Sequence, residues 1–593
     1  MTRIPPFRDL LTYVKLARRA IFRRGSEIGL MVCACAVGVA AGLIVSAMSW
    51  LSKTLHSVVF GIAHGEWLSS STLVNKPALL LGPMAGGALL GLVLFVLSRL
   101  RTRSIVDPIE ANALYGGKLS MTDSVIVAVQ NLISNGFGAS VGLEAGYTQM
   151  SSGIASKLGT KLSLRREDMR ILVGCGASGA IAAAFNAPLA GAFYAFELII
   201  GTYSVVALAP VVIAAIVATF VARNFTGETF LIEVGAIGPV GPWDFLPAIL
   251  LGIGCALIGI VIMKGVSATE QFAHRSSVPV PLRPVLGGLV VGLFAMITPQ
   301  IMSAGHGSLH LNLSSDTALF PLIILFLLKS GASAISIGSG FRGGLFFASL
   351  FMGSLLGKIF AHLLGFAIET GVTPNVFAVI GMSSLAVAII GGPLTMTFLA
   401  LEITGDYPIT TLVLAAVITS SVVVRHRFGY SFATWRFHLR GEGIRSAHDV
   451  GWINTLTVGR MMRADIRTAD DSRTVTQLRE AFPLGSTQRI ILIDKDGRYQ
   501  GIVLVAELHA DERLDAVDRL PAELVHHRDD FLTPSMNAHQ AMKVFETAQS
   551  EALAVLDNPT SRQVKGQLSE SHTLRRYSEE VERHRRATLG DVF

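Results

Sequence analysis

Between Glu27 and Val424 the chain runs through long stretches without a charged side chain, and this limits its fold more than any other feature. Residues 28–48, 79–97, 205–221, 245–263, 319–328 and 408–424 are the clearest of roughly ten such stretches. A helix that crosses a bilayer needs about 20 largely apolar residues, and several of these stretches are short or interrupted by Gly and Pro. Broken helices at membrane depth expose backbone polar groups, which is tolerable only where protein buries them or where they line a cavity. The pattern therefore points to a transporter or channel, not to an anchor. Composition agrees: 15% of residues are charged and 51% hydrophobic, whereas soluble domains are about one quarter charged. From Arg425 onward the chain reads as an ordinary soluble protein, so a large membrane domain is followed by a smaller polar one.

Arg3, Arg8, Lys15, Arg18, Arg19, Arg23 and Arg24 precede the first apolar stretch, and no small-residue cleavage motif follows it, so this end does not read as a cleavable signal. The positive-inside rule places it in the cytoplasm. The net charge of +7 is then a topology signal, and no aromatic-basic patch accompanies it to suggest nucleic acid. Cys33, Cys35, Cys175 and Cys255 all lie in apolar runs without zinc-ligand spacing and read as small buried hydrophobes.

An internal repeat sharpens the reading. "AAAFNAPLAGAFYAFEL" (182–198) resembles "VAIIGGPLTMTFLALEI" (387–403). Pro188 precedes Glu197 by 9 residues, as Pro393 precedes Glu402 by 9; Gly176 and Gly381 each lie 12 residues before those prolines. Upstream, Gly138 and Gly153 are matched by Gly338 and Gly353, both pairs 15 apart. Two half-domains with Gly-rich breaks at equivalent places is how many transporters build a substrate site. One break, "GASVGLEAGYTQM" (138–150), carries a lone acid, Glu144.

Four breaks and two longer segments resemble the CLC family of chloride channels and chloride/proton antiporters. "SIVDP" (104–108), "GLEAG" (142–146), "GLFFA" (344–348) and "GYSFATW" around Tyr430 stand where the family has its anion-site motifs. "AAAFNAPLAGAFYAFE" and "GGPLTMTFLALEITGDY" are the most specific matches. The resemblance covers about residues 27–440. It implies an all-α polytopic membrane protein with an inverted repeat and broken helices, a basic N-terminus over 1–26, a linker over 441–457 and a small α/β tail over 458–593 similar to paired CBS domains. It also implies chloride as substrate and a homodimer with one pore per subunit; the cysteine pattern and the tail are compatible with a bacterial inner membrane, with both termini cytoplasmic.

Physical chemistry supports the site independently. An anion leaving water needs replacement ligands, and a contacting cationic side chain would hold it too tightly. Helix N-termini and free N–H groups offer partial positive charge without that trap. By resemblance, Ser104 and Tyr430 coordinate the central anion together with the backbone amides of Leu345 and Phe346, and Gly142 and Gly344 let the backbone approach. "SIVDP" aligned on its proline instead puts Ile105 at the serine position. Without the family, Ser104 is a helix cap and Tyr430 an interfacial aromatic. Glu144 mimics the anion when charged and leaves when protonated, which makes it a gate and a potential proton carrier; the plainer alternative is a capped or snorkelling acid. Intramembrane acids are costly enough to be functional by default.

Departures bear on mechanism. Leu143 replaces a basic residue, Ala145 and Gly146 replace Gly and Pro, and Arg342 and Ala348 stand where prolines are usual. Asp107 adds negative charge near the inner site. Leu198 occupies the position of a second, intracellular proton glutamate in well-coupled antiporters, and leucine cannot relay protons. Channel-like chloride conduction is therefore the expectation, with chloride/proton antiport or a fluoride-selective relative as alternatives. An intramembrane enzyme is disfavoured because no paired-carboxylate, Ser/His or HExxH constellation is visible; a nucleotide-regulated sensor is a further alternative. No cofactor is expected for transport. Adenine nucleotide in the tail would fall to Leu504 and Glu507 in "GIVLVAE" and Ser569 and His572 in "KGQLSESH", both incomplete ligand sets beside a purely structural role. Glu110 and Glu402 read as structural acids, and His306 and His310 as members of a solvated Gly/Ser loop.

Overall fold

The computed structural model describes residues 27–71, 74–100, 105–226, 240–365, 372–429, 431–432, 434–435, 456–510 and 520–589. The chain divides into two compact units, Met1–Asp449 and Val450–Phe593. Ser104, Tyr430, the basic N-terminal segment and most of the connector lie outside the described residues.

Apart from one isolated bridge, the regular secondary structure described in the first unit is helical. Its first half comprises α1 (Glu27–Phe60), α2 (Lys76–Leu100), α3 (Pro108–Leu114), α4 (Met121–Gly136), α5 (Glu144–Lys161), α6 (Arg166–Phe185), α7 (Pro188–Tyr194, continued as a π-turn to Ile200) and α8 (Val205–Thr226). The second half follows the same order: α9 (Phe245–Arg275), α10 (Arg283–Ile297), α11 (His306–Ser314), α12 (Leu319–Gly338), α13 (Phe346–Gly365), α14 (Pro374–Ile390), α15 (Pro393–Thr404) and α16 (Tyr407–Arg427). Proline opens α3, α7, α14 and α15, where its missing N–H is an orphan donor in any case.

Nine of the described helices are long and apolar enough to cross a bilayer. All six stretches singled out in the sequence lie inside helices that run longer than the stretches themselves. Three further candidates, Arg166–Phe185, Val280–Ile297 and Phe346–Gly365, were less legible. Two of them are the most enclosed spans, with 72% and 67% of their windows buried. Helices packed against protein on most sides are built from Gly, Ala and Ser, which lowers their hydropathy while letting backbones approach. Spans at the rim instead expose large apolar groups such as Leu92, Phe220 and Val261, as a lipid solvent requires. Cys35 joins that exposed face, so only Cys33, Cys175 and Cys255 are the buried hydrophobes expected of all four.

The repeat is visible in the packing. Helix α1 lies against α8 and α6 as α9 lies against α16 and α14, and the pair α5–α6 corresponds to α13–α14. The matched glycines do the same work in both halves. A Cβ on Gly176 would stand 2.7 Å from the Ser151 carbonyl on α5, and one on Gly381 would stand 2.4 Å from the Gly353 carbonyl on α13. The halves join where α2 packs on α10 and α7 on α15. They also join at an antiparallel bridge, Gly142 N–H donating to Gly344 O at 3.0 Å.

The second unit is a small α/β repeat. Helix α17 (Val458–Met461) leads to β1 (Thr468–Asp470), α18 (Val475–Ala481), β2 (Arg489–Ile493), β3 (Tyr499–Leu504) and α19 (Val505–Leu508). Helix α20 (Ala538–Ala548), β4 (Ala552–Leu556), β5 (Val564–Ser569) and α21 (Glu570–Leu589) repeat the order. β1 pairs parallel with β2, β2 antiparallel with β3, and β4 antiparallel with β5. Capping boxes Thr474–Gln477 and Asn537–Gln540 open the equivalent helices α18 and α20.

Candidate functional site

A polar stripe on α4 builds the site. Asn131 Nδ2 donates to the carbonyls of Gly142 (2.8 Å) and Arg342 (3.1 Å), and its Oδ1 accepts from Gly146 N–H (2.7 Å). Ser134 Oγ accepts from Arg342 N–H (3.0 Å), and Asn135 Nδ2 donates to Val141 O (2.8 Å). Positions 131, 134 and 135 share a helix face, so one helix pins both Gly-rich breaks. With the Gly142–Gly344 bridge, these bonds fix where α5 and α13 begin.

Glu144 is the first residue of α5 and is 5% exposed. Its carboxylate folds back over Gly142, where a Cβ would lie 1.8 Å from Oε2. The backbone N–H groups of Glu144 itself and of Phe347 point at the carboxylate. Oε2 accepts no hydrogen bond among the described residues. Phe347 belongs to the first turn of α13, whose N–H groups have no intrahelical acceptor and carry the positive end of the helix dipole. The carboxylate therefore sits on the N-terminal field of two broken helices, as an anion would. Leu345 and Phe346 lie at this break as expected from sequence, but Phe347, one residue further on, supplies the amide that meets the carboxylate.

Three cavities lie in series. The first, about 240 Å³, is lined by Lys53, His56, Trp67, Tyr147, Arg223 and His306 among others. The second, about 530 Å³, is lined by Asp107, Tyr194, Glu270, Arg283, Arg342 and the break from Gly343 to Phe346. Among the described residues, Glu144 is the one lining both. The third, about 650 Å³, shares Ile109, Leu198 and Ile390 with the second and reaches Arg425 and Ser431. Asp107 caps α3, its Oδ1 accepting from Glu110 N–H at 2.9 Å.

His306 departs from the expected solvated loop. It opens helix α11, and its ring stacks between Trp67 (centroids 4.7 Å) and Phe347 (3.6 Å). His310, one turn on, is exposed as expected but lines the first cavity. Flanking Gly and Ser suggested a loop, and the aromatic partners that order the segment are distant in sequence. Lys329 was also missed, although a lysine inside an apolar run was a usable signal; it is fully buried in α12.

The repeated glutamates cap each other's helices. Glu197 accepts from Leu394 N–H (3.0 Å), Thr395 N–H (2.8 Å) and Thr395 Oγ1 (2.6 Å) at the start of α15. Glu402 accepts from Leu189 N–H (2.8 Å) and Ala190 N–H (2.9 Å) at the start of α7. The reading of Glu402 as a helix-end acid holds, with the helix supplied by the other half. Alanine at either position should destabilise the unit by about 1–2 kcal/mol, the usual worth of a lost cap. A thermal melt in detergent reads this as a lowered midpoint for each variant. The two losses should add, because the caps share no partner.

In the second unit, Glu507 Oε2 pairs with His526 Nε2 at 2.6 Å. Ser569 Oγ accepts from His572 N–H at 3.4 Å, and the Ser569 carbonyl accepts from Thr573 Oγ1 at 2.9 Å, at the start of α21. Partial burial and then the Arg575 charge lower the pKa of His572.

A repeat of broken helices, with a carboxylate seated between their N-termini and cavities on either side, defines a membrane anion-transport protein of multi-pass type. The sequence profile of the voltage gated chloride channel family matches residues 86–425, so the chain belongs to the CLC family, whose members are channels or transporters and not enzymes. The ClcB-like chloride channel protein of Ralstonia nicotianae is 31% identical over 352 residues, 58% of this chain and 82% of that one. The voltage-gated ClC-type chloride channel ClcB of Escherichia coli is 28% identical over 404 residues, 67% of this chain and 95% of that one. Among solved structures, a slow cyanobacterial Cl−/H+ antiporter superposes with a TM-score of 0.62 at 22% identity, covering 69% of this chain and 97% of its own. A eukaryotic CLC transporter superposes at 0.57 with 16% identity, covering 92% of this chain and 97% of its own. At these identities the likeness is one of fold.

Proposed function

We propose that the protein passes chloride passively through a pore gated by the Glu144 side chain. The observation that carries this reading is the seat of the carboxylate: it occupies an anion's place on the Gly142–Gly344 break and, among the described residues, alone lines the cavities on both sides. Charged, it blocks; protonated, it loses its hold on the amide field and yields to the anion. The chloride named for the curated relatives supports the choice of ion. Ser104 and Tyr430 complete the anion's ligands by resemblance, Ile105 standing as the alternative to Ser104.

Passive conduction is supported by what surrounds Leu198. This residue lies between the second and third cavities and has no proton to exchange. Its acidic neighbour Glu197 cannot stand in, because both its oxygens are engaged at the start of α15. The pore belongs to each subunit of a homodimer in a bacterial inner membrane, with both termini cytoplasmic. The tail is read as a CBS-type pair with a structural role. The engagement of Glu507 by His526 and of Ser569 at a helix start speaks against either as a ribose ligand.

The test is simultaneous recording of anion efflux and external pH from proteoliposomes under a chloride gradient, repeated with fluoride. Chloride efflux without proton movement is expected. Uphill proton movement would instead assign exchange, with Asp107 or Glu270 in the second cavity as the inner acid. Faster fluoride than chloride efflux would overturn the choice of ion.

A further inference from the structure

Lys329 stands in α12, fully buried. Its Nζ lies 2.9 Å from Ser140 Oγ, 3.0 Å from Ile301 O and 2.8 Å from Ser303 O. The carbonyls can only accept. Ser140 Oγ gives its own hydrogen to Ile301 O at 2.8 Å, so it too accepts from Lys329. An ammonium can donate to all three at once, and among the described residues no carboxylate forms an ion pair with it. Burying an uncompensated charge is costly, and the protein spends backbone geometry on it: Ser303 holds a left-handed φ of +52° while its carbonyl accepts from the ammonium.

The location gives the charge a use. Ser140 is four residues before Glu144 on the loop that leads to α5. The Lys329 and Glu144 charges interact across the site. Lys329 lines neither the first nor the second cavity, so an anion at the Glu144 seat meets backbone N–H groups and not the ammonium.

We propose that the Lys329 ammonium is a fixed positive charge that sets anion affinity at the Glu144 seat, acting through its field and without touching the anion. It resolves a difficulty of amide-only sites in a low dielectric: partial charges release an anion readily but attract it weakly. A unit charge one layer back adds attraction without adding a ligand to break. Lys329 is thus a positioning residue for transport.

The test is the chloride dependence of efflux from proteoliposomes, together with calorimetric chloride binding in detergent. Lys329→Met should raise the half-saturating chloride concentration about tenfold. Because this change also removes three hydrogen bonds and could fail to fold, Ser333→Asp provides a second route. Ser333 lies one turn along α12, its Oγ 3.0 Å from Ser140 Oγ. A carboxylate there compensates the ammonium while leaving Lys329 in place, and should weaken chloride about as much; Ser333→Ala should not. The shift should persist in a Glu144→Gln background, where the carboxylate's own charge is gone, which separates this proposal from the gate assignment. A folded Lys329→Met or Ser333→Asp protein with the native half-saturating concentration would overturn it, as would an equal loss in Ser333→Ala.

Discussion

Glu144→Gln should raise chloride flux about tenfold at neutral pH and make it flat across the pH range in which the wild type varies. The side chain keeps its size and loses its charge. In the wild type, the carboxylate competes with the anion for the N–H groups at the starts of α5 and α13. Apparent flux is reduced by the fraction of time it holds the seat, and the tenfold figure corresponds to a seat held about nine-tenths of the time. The sign follows. Lowering the pH neutralises the carboxylate, so wild-type flux rises toward that of the variant; raising the pH widens the gap. Efflux measured as a function of pH in matched proteoliposomes decides it. A glutamine variant that keeps the wild-type pH profile would remove Glu144 from the gate.

Gly142→Ala should produce nearly the same open phenotype with the acid intact. Alanine is compatible with the backbone here, since Gly142 does not use the left-handed region. The added methyl would lie 1.8 Å from Oε2, a distance no non-bonded pair of heavy atoms sustains, and the nearest movable group is the carboxylate itself. The side chain must leave its seat. Chloride efflux should then rise about as far as in the glutamine variant and lose most of its pH dependence. Restoration of wild-type flux with glycine returned, and no further increase in the Gly142→Ala/Glu144→Gln double variant, would show that both changes act on one event. A quiet, pH-sensitive alanine variant would mean the carboxylate has a second seat and would weaken the steric account.

The fold was legible where a residue's environment follows from its own neighbours in sequence. Rim spans facing lipid announce themselves by hydropathy, and matched glycines and prolines exposed the repeat because close backbone approach and helix starts demand those residues. Glu144 was legible because a lone acid in an apolar chain is rare. What escaped depends on partners far along the chain. Asn131 looks unremarkable on α4 until its three bonds reach Gly142, Gly146 and Arg342. The helix at His306 owes its order to Trp67 and Phe347. Glu402 reads as a structural acid from sequence and Glu197 as a member of the repeat, but nothing local says that each serves the opposite half.

That exchange of caps has a mechanical consequence. Many repeat transporters work by rocking one half against the other. Here each half holds the other by two backbone bonds or more, and a third tie runs through the glycine bridge. A frame latched at three points has little freedom to swing. Motion is left to a few side-chain atoms turning about single bonds, and such rotations outpace domain movement by orders of magnitude. The ceiling on throughput then comes from how quickly an ion enters and leaves its bed of amides, and the scaffold can stay still while it does.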